Sequence, residues 1–430
     1  MSDDWQTYVK DPRTVCKYGS RCYQKNPDHH KNFKHPPLDK HKKFNNKREK
    51  PYHKPQPKDK VKHFEKQPKD SETEKTKNQT VNEVFASSTS TIVPVNDVTE
   101  IDLKLPDKIL YHEPDVKKIQ EFFLLEMPSD FFKFYECLKD DSDFEKILSR
   151  VNLELIGPFD LLLGKLPILD EKELYLIHWR YFYDPPEFQA ILKKKGKSEF
   201  HMGYFRDSPE AMPVFVASND SAKDYQITPM AENIFGAVYL YLQNEKKTSP
   251  FVSVACQKLM DKVKNWAEAH QFSIEPFNMK TRLAQMVTKS FHGAGIVVPF
   301  DKKTKLGYRK LVENNANIKK LFERLESSTT QTEKDKILSL LQPVITYASI
   351  AVDECDFGTG LEIGIALFCS GLKELQANVL SSLCSVYSLV QRDAFSKIIQ
   401  VRQLVSEKLE SKNQYSETFL FNCLLFTIII

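Results

Sequence analysis

Three carboxylates fall within four positions of one another in ASIAVDECDFGTGLEIGIALF, residues 348 to 368: Asp353, Glu354 and Asp356. An apolar run leads in, a break carrying Gly358 and Gly360 follows, and a second apolar helical pattern leads out. Carboxylates at the edge of a core are costly unless paired, and sites that keep them are often functional. A helix through Val344 to Ala351 that ends near Asp353 sets its C-terminal dipole against an anion there, and mutual repulsion works in the same direction. Both effects favour a general base. Arg309, in the basic stretch TKLGYRKL, is the candidate cation to steady that charge and fix its direction. The same residues read equally well as a capping cluster that ends one helix and starts the next.

A second set of residues carries metal chemistry. Cys16, Cys22, His29 and His35 are spaced C-x5-C-x6-H-x5-H in a polar segment with no core of its own. Two thiolates and two imidazoles suit tetrahedral zinc, which would staple such a peptide. The spacing is wrong for the DNA-reading finger, whose cysteines stand two to four apart, and Pro27 and Pro36 interrupt any long helix.

Other readings fall away. HGAG at His292 to Gly295 has no G-x-S-x-G nucleophile elbow to serve, and no P-loop, dinucleotide fingerprint or HExxH occurs. The aromatic stripes HWRYFYDPPEF and HMGYFRDSPE are explained by core packing. The pattern contains no self-contained active site.

The elements that must hold these residues follow from composition and periodicity. The chain has 430 residues, 41% of them hydrophobic, with 23 Pro and a net charge of +4 that is concentrated as Lys and His in the first hundred positions. A basic arm of this kind points to a polyanionic neighbour such as nucleic acid or poly(ADP-ribose). Eight cysteines and no signal peptide predict a reducing compartment. Six of them (Cys137, Cys256, Cys355, Cys369, Cys384 and Cys423) lie in apolar segments and read as small core residues. Residues 11–38 form the finger, and 39–102 read as a flexible basic linker that cannot bury enough apolar area to fold.

From 103 to 233 helices around KKIQEFFLLEMPSDFFKFYECLK, with a Pro-Ser-Asp N-cap signal between them, precede a short strand in VNLELIGPFDLLLGK and a Gly-Pro turn. Three β-like segments follow, KELYLIHWRYFYD, EFHMGYFRDSP and MPVFVASN. From 234 to 412 the apolar spacing is helical. The fold class is therefore α+β, a sheet-containing half packed on a mainly helical half. FLFNCLLFTIII, within 413–430, is too short to span a membrane and reads as an atypical, aggregation-prone tail.

Two resemblances tie the motifs together. The CKYGSRCY core and the HP after the last histidine resemble the PBZ, or poly(ADP-ribose)-binding, zinc finger. That resemblance implies Zn2+ on Cys16, Cys22, His29 and His35, and an adenine-stacking surface at Tyr18 and Tyr23. Gln24 stands where that family usually has Arg, and Pro37 where it has Gly. LIGPFDLLLGK, HWRYFYDPPEFQ, HMGYFRDSPE, VTKSFHGAGIVVP, GYR at Gly307 to Arg309 and DECDFGTGLEIG together resemble the histone PARylation factor family over about residues 100 to 410.

The resemblance implies an accessory factor, no enzyme on its own, that completes the active site of a DNA-damage-activated poly(ADP-ribose) polymerase. The polymerase would bind NAD, and Glu354 would be the catalytic base that deprotonates a serine hydroxyl of a histone or other target. Asp353 and Asp356 match polymerase-interface positions, and Tyr308 and Arg309 a docking and orienting element. It further implies a nuclear location at chromatin and DNA breaks, with polymerase, histones and poly(ADP-ribose) as partners; separately, the basic composition of the linker points to nonspecific DNA contact. Phe357 and Thr359 depart from the family's usual Tyr and Met. The different-class alternative is a poly(ADP-ribose) reader and scaffold whose carboxylate cluster is structural.

Overall fold

The computed structural model describes residues 10–15, 27–35, 101, 103 and 108–411. The chain divides into a unit Met1–Ala86 and a unit Ser87–Ile430. The expectations for Cys16, Tyr18, Cys22 and Tyr23, for the apolar tail and for nearly all of the linker lie outside the described residues. Ile101, next to last in the segment read as linker, is instead buried in the main core.

In the first unit, strand β1 (Thr14–Val15) runs parallel to β2 (Phe33–Lys34), pairing Thr14 with Phe33 and Val15 with Lys34. A six-residue helix, Pro27–Asn32, leads straight into β2. Proline opens that helix where its missing N–H costs nothing.

The second unit is built on a five-stranded antiparallel meander in the order β3 (Leu153–Leu155), β4 (Phe188–Lys194), β5 (Phe200–Phe205), β6 (Phe215–Asp220) and β7 (Thr228–Ala231). Each strand pairs with its sequence neighbour; short loops join β4 to β7 in turn, while the β3–β4 connection is long and helical in part. The two strands expected in EFHMGYFRDSP and MPVFVASN are β5 and β6. The one expected in KELYLIHWRYFYD is a 3-10 helix, Lys172–Ile177, with Leu174, Tyr175, Leu176 and Ile177 all buried. A short run buried on every side has no period by which sequence could separate strand from helix. The Gly157-Pro158 turn likewise continues into a short helix, Pro158–Leu162. The Ser129–Lys139 helix is capped at Pro128 without a side-chain bond.

Helix Ile234–Glu245 packs on β6 and β7, Ser129–Lys139 and Pro250–Ala269 pack against it, and one core cluster continues from them into the helical half. That half stacks Gln331–Asp353, Phe357–Ser370, Gln376–Leu389 and Asp393–Ser411 in succession. The Phe357–Ser370 helix is its spine, buried at every residue from Gly358 to Cys369. A helix apolar all round must be interior. No helix among the described residues is long and apolar enough to cross a membrane.

Candidate functional site

The break between the two helices is not at the glycines. The Gln331–Asp353 helix ends on Glu354, and Cys355 takes the left-handed conformation with φ +65°. The Cys355 N–H donates to the Val352 carbonyl at 2.9 Å and the Asp356 N–H to the Ala351 carbonyl at 2.8 Å. This is the Schellman pattern, built here without the usual glycine. Cys355 is therefore exposed rather than in the core, whereas Cys137, Cys256 and Cys369 are buried as expected. Gly358 and Gly360 lie inside the next helix, where the absence of a side chain permits close approach. A Cβ on Gly358 would stand 3.0 Å from the Gly307 carbonyl oxygen, which accepts its N–H at 2.9 Å.

That contact begins a strap. Gly307 has φ +110°, and a Cβ there would lie 2.2 Å from the Pro299 carbonyl oxygen, so the residue must be glycine. Asp356 sits at the N-cap of the spine helix but makes no side-chain cap bond. Its carboxylate reaches across to the strap instead, accepting the Gly307 N–H at 2.9 Å and the Arg309 Nε–H. Arg309 Nη2 donates in turn to Glu354 Oε2, and the guanidinium lies 5.9 Å from the centroid of the Tyr347 ring. One cation thus binds two of the three carboxylates and opposes the repulsion expected among them. The Glu354 hydrogen bond, with a further one from Asp356, raises the Arg309 pKa above its ordinary value while burial opposes.

Strap and helix are laced further along. The Arg309 N–H donates to Thr359 Oγ1 at 2.9 Å, and the Thr359 hydroxyl donates back to the Arg309 carbonyl at 2.7 Å. The Tyr308 hydroxyl donates to Glu362 Oε2 at 3.1 Å, and the Thr288 hydroxyl to Glu362 Oε1 at 2.8 Å. Burial raises the Glu362 carboxyl, with the two hydroxyls pulling the other way, and pushes the Tyr308 phenol up to about 12. Thr359 and Glu362 were not singled out as site residues from sequence. Their signal was legible all the same: Asp356, Thr359 and Glu362 stand three apart, the only polar stripe on an otherwise apolar helix.

The three predicted carboxylates separate cleanly. Asp353 is exposed and joins none of these contacts. The Asp356 side chain is 8% exposed and fully engaged within the chain, while that of Glu354 is 59% exposed and held by Arg309. Beside them the helix surface forms an open depression lined by Ser339, Gln342, Pro343, Thr346, Tyr347 and Ile350. His292, of the HGAG turn, is buried and pushed down to about 3, first by burial and then by Arg282. Its Nδ1 accepts the Ala294 N–H at 3.2 Å, so it is a neutral structural residue.

In the first unit His29 Nε2 and His35 Nε2 stand 3.2 Å apart. Two nitrogens bound to one tetrahedral zinc ion at its usual bond length would be separated by about 3.3 Å. Val15 and Lys34, each one residue ahead of a candidate ligand, are paired across β1 and β2. Donor type and spacing therefore fit zinc. Among the described residues no three His, Cys, Asp or Glu side chains converge on one point.

Fold and site together define an α+β domain that presents one arginine-braced carboxylate to solvent, preceded in the sequence by a Cys/His finger segment. The model for histone PARylation factor 1 matches residues 114–403, and that for the PBZ domain matches residues 13–38. Histone PARylation factor 1 of Danio rerio is 38% identical over 315 residues, covering 72% of this chain and 90% of that protein. The Bos taurus protein of the same name is 36% identical over 66% of this chain and 84% of its own length. A putative histone PARylation factor 1-like protein of Homo sapiens is 32% identical, over 70% and 88%. The chain belongs to the histone PARylation factor 1 family.

Proposed function

We propose that this chain docks on the catalytic domain of a DNA-damage-activated poly(ADP-ribose) polymerase and supplies Glu354 as general base for serine ADP-ribosylation. The polymerase holds NAD. Glu354 takes the proton of the acceptor serine, whose oxygen attacks the ribose carbon as nicotinamide leaves. A serine alcohol is a poor nucleophile until a base engages its proton. Arg309 aims the carboxylate, Asp356 and Tyr308 hold Arg309 and its strap, and exposed Asp353 faces the polymerase. Cys16, Cys22, His29 and His35 bind zinc in the finger, and Tyr18 and Tyr23 stack on adenine of poly(ADP-ribose). The protein acts in the nucleus, on histones at broken DNA, where the basic linker adds nonspecific contact.

The observation that carries this reading is the sorting of the three carboxylates. Only Glu354 is both open to solvent and held in a fixed direction, with no nucleophile or cofactor loop beside it in the sequence. That is half of an active site. The test is reconstitution of polymerase, broken DNA, NAD and a serine-containing histone peptide with the full chain. Serine modification should require the chain and fall at least about 100-fold with Glu354→Ala, the range set by removal of a general base. Polymerase binding should survive the change. Retained serine modification in that variant would sink the base assignment. The match of residues 13–38 to the PBZ domain favours a second reading, a poly(ADP-ribose) reader and scaffold. There Cys16→Ala, not Glu354→Ala, is the damaging change.

A further inference from the structure

Thr359 is 0% exposed on a helix whose neighbouring residues are almost all apolar. A hydroxyl in such a place costs stability unless it is hydrogen-bonded. A threonine in the first turn of a helix can bond backbone groups close by in sequence. Thr359 turns away from its own helix instead. It accepts the N–H of Arg309 and donates to the C=O of the same residue, 50 positions earlier in the chain. Both bonds fall on one residue and bracket its Cα, so they fix the direction in which the Arg309 side chain leaves the strap. Tyr308, the next residue back, is held by Glu362 one turn further along the same face.

This matters because of where Arg309 goes. Its side chain is 31% exposed and its partner Glu354 59% exposed. A flexible surface pair of that kind is worth only about 0–1 kcal/mol, too little to hold a carboxylate in one direction. The side-chain bond to buried Asp356 is one anchor, and the Thr359 clamp on the backbone is the other. We infer that Thr359 is a positioning residue for the Glu354 carboxylate, acting through the backbone of Arg309, with Glu362 steadying the adjoining Tyr308. The inference rests on Glu354 as the base. It adds a residue that touches neither substrate nor cofactor.

The test uses the full chain in the reconstituted serine-modification assay. Thr359→Val removes both bonds at nearly constant shape, and Thr359→Ser keeps them. The rate at saturating peptide should fall on the order of tenfold in Thr359→Val, the scale of two lost hydrogen bonds and a misdirected group. The concentration of chain that half-saturates the polymerase should not move, and Thr359→Ser should restore the rate. In an Arg309→Ala background, Thr359→Val should cost nothing more, because the residue it acts through is gone. Thermal melts of each variant correct for folded fraction. A wild-type rate in Thr359→Val overturns the inference, and so does an equal loss in both backgrounds, which would mark a packing role alone. Glu354→Ala run alongside separates the two readings. Its retention of serine modification fails the base assignment, whereas loss there with retention in Thr359→Val fails only the positioning role.

Discussion

Arg282 and Arg309 both grip carboxylates, and they use the interaction in opposite ways. Arg282 has no exposed side-chain area and binds Asp207 through two bonds of 2.5 and 2.7 Å. It also donates to the Ala294 and Gly295 carbonyls and lies 5.7 Å from each of the Phe205 and Phe215 rings. All three of its side-chain nitrogens are engaged, tying the Ala294–Gly295 turn to Asp207 just beyond β5. Arg309 bonds a buried carboxylate with one nitrogen and an exposed one with another. The first arginine fixes the fold. The second spends one half on the fold and leaves the other half aiming Glu354 into solvent.

The comparison can be broken by stability and activity measured side by side. Arg282→Met should have the largest effect on folding, roughly 3 kcal/mol by denaturant titration, because Asp207 and two carbonyls lose their partner. Serine modification by the surviving folded fraction should be unchanged. A specific rate that falls with Arg282 would erase the distinction between the two arginines. Arg309→Ala should show the reverse weighting. Asp356 keeps the Gly307 N–H and Glu354 can hydrate, so the stability cost should be about 1–2 kcal/mol. On the role proposed for Glu354, the modification rate should drop on the order of tenfold or more, since an unaimed base loses its positioning advantage.

The smallest effect sharpens the structural side. His292 sits near Arg282 with its pKa pushed down to about 3 by burial and by that cation. The unfolded chain takes up this proton near 6.5, so stability present at neutral pH is lost as the pH falls from 6.5 towards 3. One unit below 6.5 the loss should be about 1.4 kcal/mol, with a steeper decline further down. His292→Gln should flatten this part of the stability profile. An unchanged slope would show that the buried imidazole is not what couples this region to acid.

Much of the architecture is readable from pattern. The long helices follow from apolar spacing, and β5 and β6 from short aromatic runs between proline turns. β4 and β7 were missed for different reasons. Phe188 to Leu192 is buried on both faces and shows no alternation, and Thr228–Ala231 carries a proline in four residues. The site was half readable. Glu354 and Asp356 were brought forward by charge in an apolar setting and Arg309 by its basic loop, and the structure joins all three. Asp353, equal to them by sequence, stands apart. Cys355 misled because an apolar neighbourhood says nothing of a residue that must take φ +65° to turn the chain.

The sequence alone determined the chemistry on offer: the Cys16, Cys22, His29, His35 quartet, the acidic cluster and the arginine in GYR. Residue type and spacing suffice for that, because donor atoms and helical periods are local properties. Which carboxylate is buried, which is braced and which stands exposed on its own was decided by the tertiary structure. Asp356, Thr359 and Glu362 meet Gly307 to Arg309 across about fifty residues of chain. Burial and hydrogen-bond partners at that separation exist only once the spine helix is packed, so no local pattern encodes them.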